Sequence, residues 1–345
     1  MKAMALTGIR QMKMIDVPDP ILVNDTDVLI KMKMVGVCGS DMHYYTAGKI
    51  GTQVVQYPYS VGHEGAGIIV KTGSAVKDLV PGQRVAIDPA MPCFKCDQCL
   101  SGREHTCRTL KFLGSPGQAD GCLSEYIVMP HTSCIPISSK MSFDEAVISE
   151  PLAIGVYAVK RSLPVKNAQV GILGFGPIGM SVLLPALEEG AAKVFVTDKI
   201  EHRLELARKS GAFWTGNPDK TDVVNQIKQV APLSLDIIFE CCGQQDALNQ
   251  AIQLLKPGGK IMIIGIPEFE TWSLNTHDIR RKEITFINVR RQAHCTEEAL
   301  EKIDKGILNV SRMTTHHFNF TNSKDAFDLV ADYRDGVMKA MIEFD

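Results

Sequence analysis

The sequence predicts an α/β protein that combines a β-rich domain with a doubly wound domain built on a parallel sheet. A chain of 345 residues is long enough for two domains. Up to about residue 150, short apolar runs lie between glycine or proline turns, which is typical of a compact, largely antiparallel β unit. From about residue 152, β-branched runs alternate with segments of helical spacing, which indicates βαβ units.

The predicted elements follow in chain order. In the β-rich part the clearest strands are Val28–Val35, Ala66–Lys71 and Arg84–Ile87. The second part alternates strands and helices, which are Val170–Leu173, Ile178–Glu189, Lys193–Thr197, Arg203–Ser210, Leu235–Phe239, Ala247–Leu255 and Lys260–Ile264. The last part is predicted to contain helices Glu297–Lys305 and Ser323–Tyr333 and a strand Lys339–Phe344.

The closing elements are expected to return to the first domain, so that the parallel-sheet domain is inserted in the middle of the chain. The predicted domains are therefore residues 1–151 with 288–345, and residues 152–287.

Composition and charge exclude several classes of partner. The net charge of -2 provides no basic field for nucleic acid or anionic lipid. The apolar stretch Val170–Leu187 is interrupted by glycines and prolines and favours strand, turn and helix over a membrane span. The start of the chain is too short in apolar residues for a signal peptide, so we expect a reducing, cytoplasmic location for the ten cysteines.

A glycine motif follows the first predicted strand of the second domain. Gly174, Gly176 and Gly179 match G-x-G-x-x-G between a strand and a helix, where they allow a tight turn, close approach of a pyrophosphate and close helix packing. Asp198 follows the next strand, where a carboxylate accepts hydrogen bonds from a ribose and repels a 2′-phosphate. The motif predicts binding of NAD rather than NADP. The alternative is a structural turn with a surface aspartate.

Four cysteines are crowded into one short segment. Cys93, Cys96, Cys99 and Cys107 have the order C-x2-C-x2-C-x7-C. Four thiolates at such spacing can close a tetrahedron around a structural zinc ion. Disulfides or free thiols are the alternatives, and the expected compartment and the spacing favour zinc.

Three further segments carry ligand chemistry that is unusual for a simple core. They contain Cys38, then His63 and Glu64, then Glu150. A thiolate, an imidazole and carboxylates suit a catalytic zinc with an open position. Because the segments are far apart in sequence, a buried core cysteine and a structural histidine remain equal alternatives on spacing alone.

The motifs together resemble the zinc-containing medium-chain alcohol dehydrogenases. The resemblance covers nearly the whole chain and is carried in family order by residues 36–41, 62–67, the four-cysteine segment, 150–153 and 174–179. Within that family, residues 39–45, 48–51, 174–180 and 289–290 most resemble the sorbitol (polyol) dehydrogenases. Animal members of that branch lack the four-cysteine lobe, whereas many microbial relatives keep it as this chain does, so the substrate stays open.

The resemblance implies a fold and a set of site residues. It implies a GroES-like catalytic domain, a Rossmann cofactor domain and two zinc ions per subunit. Cys38 and His63 would bind the catalytic zinc with Glu64 as third ligand, and Glu150 would contact it through water or replace a ligand. Ser40 and His43 would carry the hydroxyl proton away, and the implied substrate contacts are Tyr44, Phe112, Glu150 and Arg290. The implied cofactor contacts are Gly174, Gly176, Ile178, Gly179, Asp198, Arg203, Gly265 and Val289.

The resemblance predicts NAD-linked oxidation of a secondary hydroxyl of a polyol by a homotetramer that binds neither nucleic acid nor membrane. A dehydrogenase for threonine, butanediol or a sugar acid is an alternative, because adjacent Arg290 and Arg291 could hold a carboxylate. A catalytically silent NAD-binding protein on the same fold is a second alternative. The joint presence of the expected metal ligands and Ser40 argues against it.

Overall fold

The computed structural model describes residues 1–162 and 164–345, and its chain divides into two compact units. The first unit contains Met1–Glu150, Thr296–Lys305 and Met313–Asp345. The second unit contains Pro151–Cys295 and Gly306–Arg312. The catalytic and cofactor-binding roles of these parts of the chain remain predictions at this point.

The N-terminal part of the chain is mostly β-structure. Its strands are β1 (Lys2–Gly8), β2 (Gln11–Asp16), β3 (Asp27–Gly36), β4 (Lys49–Ile50), β5 (Gln53–Val54), β6 (Glu64–Thr72), β7 (Arg84–Ile87), β8 (Ala90–Met91), β9 (Lys111–Phe112), β10 (Tyr126–Pro130) and β11 (Cys134–Pro136). Its helices are α1 (Gly39–Ala47), α2 (Asp97–Leu100) and the longer α3 (Phe143–Arg161).

The middle of the chain alternates strands and helices. The strands are β12 (Gln169–Leu173), β13 (Lys193–Thr197), β14 (Trp214–Gly216), β15 (Leu235–Glu240), β16 (Leu255–Ile263) and β17 (Thr285–Asn288). The helices are α4 (Pro177–Glu188), α5 (Glu201–Lys209), α6 (Val223–Val230), α7 (Gln245–Leu254) and α8 (Thr276–Lys282). The C-terminal part adds α9 (Thr296–Asp304), β18 (Thr314–Asn319), α10 (Ser323–Ala331) and β19 (Lys339–Glu343).

The main sheet of the first unit is mixed. Its strand order is β11-β7-β6-β3-β19-β18, and β10 also pairs with β3. All of these pairs are antiparallel except that of β18 with β19. The alternate residues Val28, Ile30 and Met32 of β3 are fully buried in the core of this unit, as the period of two in a strand requires.

The sheet of the second unit is entirely parallel, with strand order β14-β13-β12-β15-β16-β17. Strands buried on both faces of a parallel sheet are nearly continuous in apolar residues, and β12 and β13 show this pattern. The predicted fold class is therefore confirmed. Among the helices of the two described stretches, none combines the length and the apolar character that crossing a membrane requires.

Several elements were missing from the sequence prediction, among them the helices α1, α3 and α8 and the three elements that follow. Strand β18 has the polar sequence Thr314–Asn319 and lies at the sheet edge, so it lacks an apolar alternation. Strand β14 has only three residues. Helix α6 has buried residues at Val223, Val224 and Ile227, a helical spacing that could have identified it.

Candidate active site

The structure brings Cys38, His63 and Glu64 together. Cys38 lies between β3 and α1, and His63 directly precedes β6, whose first residue is Glu64. Strands β3 and β6 are antiparallel with Gly36 opposite Glu64, so the two ligand segments leave the sheet side by side. One donor atom from each residue lies within 4.8 Å of the other two.

This donor set fits a catalytic zinc ion. One thiolate, one imidazole and one carboxylate are all ligands that zinc accepts. Three protein ligands leave a fourth tetrahedral position for substrate or water. His63 and Glu64 are buried, whereas Cys38 is partly exposed, which keeps one side of the set accessible.

The buried carboxylate of Asp41 organises both ligand segments. Its Oδ2 accepts a hydrogen bond of 3.1 Å from the Cys38 N–H, and its Oδ1 accepts one of 3.3 Å from the Gly62 N–H. Its Oδ1 also lies 3.5 Å from Nδ1 of His63, which leaves Nε2 of the ring for a metal ion. Burial lowers the pKa of His63, but Asp41 and Cys38 outweigh it, and the pKa lies well above its usual value. Sequence reasoning had assigned Asp41 no role.

Lys339 is a second residue that sequence reasoning missed. Its Nζ lies 2.6 Å from each carboxylate oxygen of Glu64 and donates to the Val37 carbonyl at 3.3 Å. Both side chains of the ion pair are buried. Burial disfavours the ammonium, yet the charge of Glu64 prevails and the pKa of Lys339 is raised. The one available signal was a lysine at the start of a predicted strand whose next three residues are apolar.

Glu150 is buried on α3 of the first unit. Burial is the main reason that its pKa rises to about 7, with nearby His63 lowering it and Glu64 raising it. Within the described residues, the compact donor set contains Cys38, His63 and Glu64 and does not extend to Glu150. A direct zinc bond from Glu150 stays a prediction.

Other residues predicted to contact substrate surround the same segments. The Ser40 hydroxyl lies 3.4 Å from Sγ of Cys38, and His43 follows one turn later on α1. The Phe112 ring on β9 lies 5.5 Å from the His63 ring. The buried Tyr44 donates a hydrogen bond of 3.4 Å to the side-chain oxygen of Gln53. These contacts are compatible with the predicted roles.

The four crowded cysteines form a second donor set. Their sulfur atoms lie within 4.8 Å of one another, and Sγ of Cys96 is 3.6 Å from Cys99 and 3.9 Å from Cys107. Thiolates bound at about 2.3 Å around a tetrahedral zinc are separated by roughly 3.8 Å, whereas a disulfide requires about 2.05 Å. The Lys95 N–H is the main reason that the pKa of Cys93 falls to about 6, whereas burial is the main reason that the pKa of Cys99 rises to about 12. The arrangement fits a closed zinc site.

The glycine motif of the second unit has the geometry of a dinucleotide site. Gly174 has φ of +91°, and a Cβ on Gly179 would lie 2.2 Å from the Gly174 carbonyl oxygen. Helix α4 begins at Pro177 after Gly176, which has no side chain to cap the helix, and an uncapped helix N-terminus is suited to binding an anion. Asp198 accepts hydrogen bonds of 2.6 Å from the Phe175 N–H and 2.8 Å from the Ile200 N–H. Asp198 therefore fixes the glycine turn, and its contact with a ribose stays a prediction.

The predicted cofactor residues of the second unit lie at or just beyond the carboxyl ends of parallel strands, where ligands bind in doubly wound sheets. Asp198 follows β13, Gly265 follows β16, and Val289 follows β17. Arg203 is buried on α5 beside Gly176. The predicted substrate residue Arg290 also belongs to this unit and is exposed.

Comparison with known proteins gives the family. Residues 24–139 match the alcohol dehydrogenase GroES-like domain, and residues 177–305 match the zinc-binding dehydrogenase domain. Sorbitol dehydrogenase of Bacillus subtilis (strain 168) is 33% identical over 343 residues, which cover 99% of this chain and 97% of the relative. L-idonate 5-dehydrogenase of Vitis vinifera is 31% identical over 312 residues, which cover 88% and 85%.

A solved structure agrees with these matches. The Escherichia coli CFT073 alcohol dehydrogenase rspB, complexed with the cofactor NADH, superimposes with a TM-score of 0.90 at 28% identity and covers 99% of each chain. The predicted GroES-like and Rossmann folds are thereby confirmed, as are the zinc and nicotinamide dinucleotide cofactors. The chain belongs to the zinc-containing medium-chain alcohol dehydrogenase family, in its sorbitol (polyol) dehydrogenase branch, and is an oxidoreductase that acts on a small molecule.

Proposed function

We propose that this enzyme oxidises a secondary hydroxyl of a linear polyol, such as sorbitol or xylitol, to a ketose with NAD as hydride acceptor. The observation that carries this proposal is the three-donor set of Cys38, His63 and Glu64, with Ser40 beside its sulfur and the polar groups of Glu150 and Tyr44 in the same unit. Sorbitol dehydrogenase of Bacillus subtilis, similar over 97% of its length, supports the same substrate class.

We assign the residues as follows. Cys38, His63 and Glu64 hold the catalytic zinc, with Glu150 as an alternative or indirect ligand, and the four crowded cysteines hold the structural zinc. When bound, zinc polarises the alcohol oxygen and NAD accepts the hydride. Ser40 removes the hydroxyl proton and passes it to His43. The cofactor is held by the glycine turn with Asp198, and the remaining contacts are Ile178, Arg203, Gly265 and Val289. In this assignment the catalytic domain is 1–151 with 288–345, and the NAD domain is 152–287.

A polyol requires several polar partners. Each of its hydroxyls loses water on binding, and an unmatched polar group in a closed site costs roughly 1–3 kcal/mol. Glu150, Tyr44 and Arg290 supply an acceptor and donors, while Phe112 supplies an apolar wall. A site built for hydroxyls rejects primary aliphatic alcohols strongly, because its polar groups are then left unpaired.

Steady-state kinetics of the zinc-loaded enzyme with NAD test the proposal. The panel contains sorbitol, xylitol, threonine, 2,3-butanediol, gluconate and ethanol. We expect the highest kcat/KM with a polyol and values lower by orders of magnitude with ethanol. A maximum with threonine or butanediol would remove the polyol assignment and leave the zinc-dependent mechanism standing.

Arg290 provides a sharper test of substrate contact. Arg290→Ala should raise the KM for polyol while leaving the KM for NAD within about twofold, because the lost donor serves the substrate. Arg280→Ala removes an exposed arginine on α8 of the same unit and is the matched control. Equal effects of both variants on the KM for polyol would show that Arg290 makes no specific contact with the substrate.

A second candidate is oxidation of a sugar acid. The adjacent Arg290 and Arg291 could bind a carboxylate bidentately, and L-idonate 5-dehydrogenase of Vitis vinifera is among the relatives. This candidate predicts the highest kcat/KM with L-idonate when that acid is added to the substrate panel. It also predicts that Arg290→Ala damages turnover of the acid more than turnover of a polyol.

We further propose a cytoplasmic homotetramer. The ten free cysteines favour a reducing compartment. Strand β17 ends the parallel sheet of the second unit, and pairing with its copy in another subunit would extend that sheet. Light scattering coupled to size-exclusion chromatography measures the subunit number, and a monomeric mass would contradict the assembly.

A further inference from the structure

The proposed zinc site contains a positively charged side chain, the ammonium group of Lys339. Strand β19 pairs with β3 so that Met341 lies opposite Gly36, and Gly36 lies opposite Glu64 on the other side of β3. Lys339 precedes Met341 by two residues on β19 and points to the same face of the sheet. The sheet register therefore brings Lys339, on the C-terminal strand, next to Glu64, which is 275 positions earlier in the chain.

The contact between Lys339 and Glu64 is buried and uses both carboxylate oxygens. The exposed fractions of the two side chains are 1% and 0%, and both nitrogen-to-oxygen distances are 2.6 Å. The same carboxylate belongs to the three-donor set with Cys38 and His63. A metal ion bound by Glu64 must share these oxygens with the ammonium group.

We propose that Lys339 is an internal counter-ion that competes with zinc for Glu64, stabilising the metal-free site and weakening the binding of the catalytic zinc. The inference rests on the proposed zinc site. A buried carboxylate without a partner is strongly destabilising, so the metal-free protein needs the lysine. Once zinc binds, two cations lie close together in a site with little water, and their repulsion lowers the affinity for the metal.

Lys339 is thus a positioning residue, because it acts through Glu64 and not on the substrate. The opposing possibility is that the lysine only orients Glu64 as a ligand. The two hypotheses predict opposite changes in zinc affinity when Lys339 is replaced. Removing a competitor tightens zinc binding, whereas removing an orienting group weakens it.

The test uses Lys339→Met, with Lys339→Arg as a control that keeps the charge. Each full-length protein keeps its four-cysteine lobe loaded, and the affinity for the second zinc equivalent is measured by competition with a chromophoric chelator. Thermal unfolding is followed with and without that second equivalent. We expect Lys339→Met to bind the second zinc at least tenfold more tightly and to lose more thermal stability in the metal-depleted form than in the loaded form. Lys339→Arg should stay within about threefold of the original affinity.

A double-mutant cycle with Glu64→Gln checks that the lysine acts through Glu64. Lys339→Met should raise zinc affinity by a smaller factor when Glu64→Gln is already present than in the original protein, because only the repulsion between the two cations then remains to be relieved. A Lys339→Met protein that folds only when zinc is supplied supports the proposal, and one that fails to fold even with zinc overturns it.

The remaining outcomes separate this proposal from the proposed function. If Lys339→Met binds the second zinc with unchanged or lower affinity while the original protein binds two zinc ions, the counter-ion role is overturned and the zinc site stands. If the original protein binds no second zinc, the proposed catalytic site falls and the counter-ion role falls with it.

Discussion

Gly36 and Glu64 lie opposite each other on antiparallel strands, and a Cβ at Gly36 would come within 2.4 Å of Oε2 of Glu64. It would also come within 2.8 Å of the Val147 side chain. The carboxylate of Glu64 therefore occupies the space that the missing side chain leaves, with the ammonium of Lys339 on its oxygens. Gly36, which is not itself a metal ligand, thus determines where the carboxylate of the predicted zinc ligand Glu64 can lie.

The first prediction concerns this space. Gly36→Ala should displace Glu64 and cost about 1–3 kcal/mol of stability, as overpacking does in a dense core. It should also weaken binding of the catalytic zinc. Gly39→Ala is the matched control, because a Cβ there meets nothing within 4 Å and adds a good helix former to α1. Thermal unfolding and zinc analysis measure both effects, and similar behaviour of the two variants would contradict the packing argument.

The second prediction concerns Asp41, which holds the backbone of both ligand segments and faces His63. Asp41→Asn should lower the affinity for the catalytic zinc by about 10–100-fold, since groups that orient metal ligands have effects of this size. Asp16→Asn removes an exposed carboxylate paired with Lys2 and should leave zinc affinity unchanged. Competition with a chelator measures both, and an unaltered affinity in Asp41→Asn would exclude the orienting role.

The third prediction separates the two zinc sites by mutation. We expect two zinc ions per chain, with Cys38→Ser losing turnover but keeping its fold. Cys99→Ser should lower Tm by roughly 5 °C or more, because a structural zinc contributes folding energy and each kcal/mol corresponds to about 2–4 °C. Cys134→Ser is the control, since this buried thiol lies outside both donor sets and donates to the Pro130 carbonyl. An unchanged Tm in zinc-replete Cys99→Ser would refute the structural assignment.

The fourth prediction concerns cofactor choice. Asp198→Asn removes the charge that disfavours a 2′-phosphate but keeps one oxygen as an acceptor for the glycine turn. The kcat/KM for NAD should fall by about 10–100-fold, the usual range for a lost hydrogen bond to a charged group, and that for NADP should rise. Glu205→Gln removes an exposed charge paired with Lys209 on the nearby helix α5 and serves as control. Equal use of NAD and NADP by the original enzyme would contradict the role of Asp198.

Local motifs were readable from the sequence because neighbouring residues set their geometry. The four cysteines lie within 15 residues, so the spacing alone brings their sulfur atoms together, as the structure shows. The glycine turn was equally readable, since a strand, three spaced glycines and a helix define one short unit. The alternation of strands and helices predicted the parallel sheet for the same reason, apart from the short strand β14.

The active site was different, because its residues meet only through the sheet. From spacing alone, Cys38 and His63 were equally well explained as core residues and as metal ligands. The family resemblance favoured the role of metal ligands. The pairing of β3 with β6 places these residues side by side, and the pairing of β3 with β19 adds Lys339. A pattern of apolar residues predicts that a strand exists but not which strands become neighbours. The sequence by itself therefore determined the metal lobe, the dinucleotide turn and the fold class. Only the tertiary structure decided that Asp41 and Lys339 surround the donor set, because strand order and register are long-range properties of the folded chain.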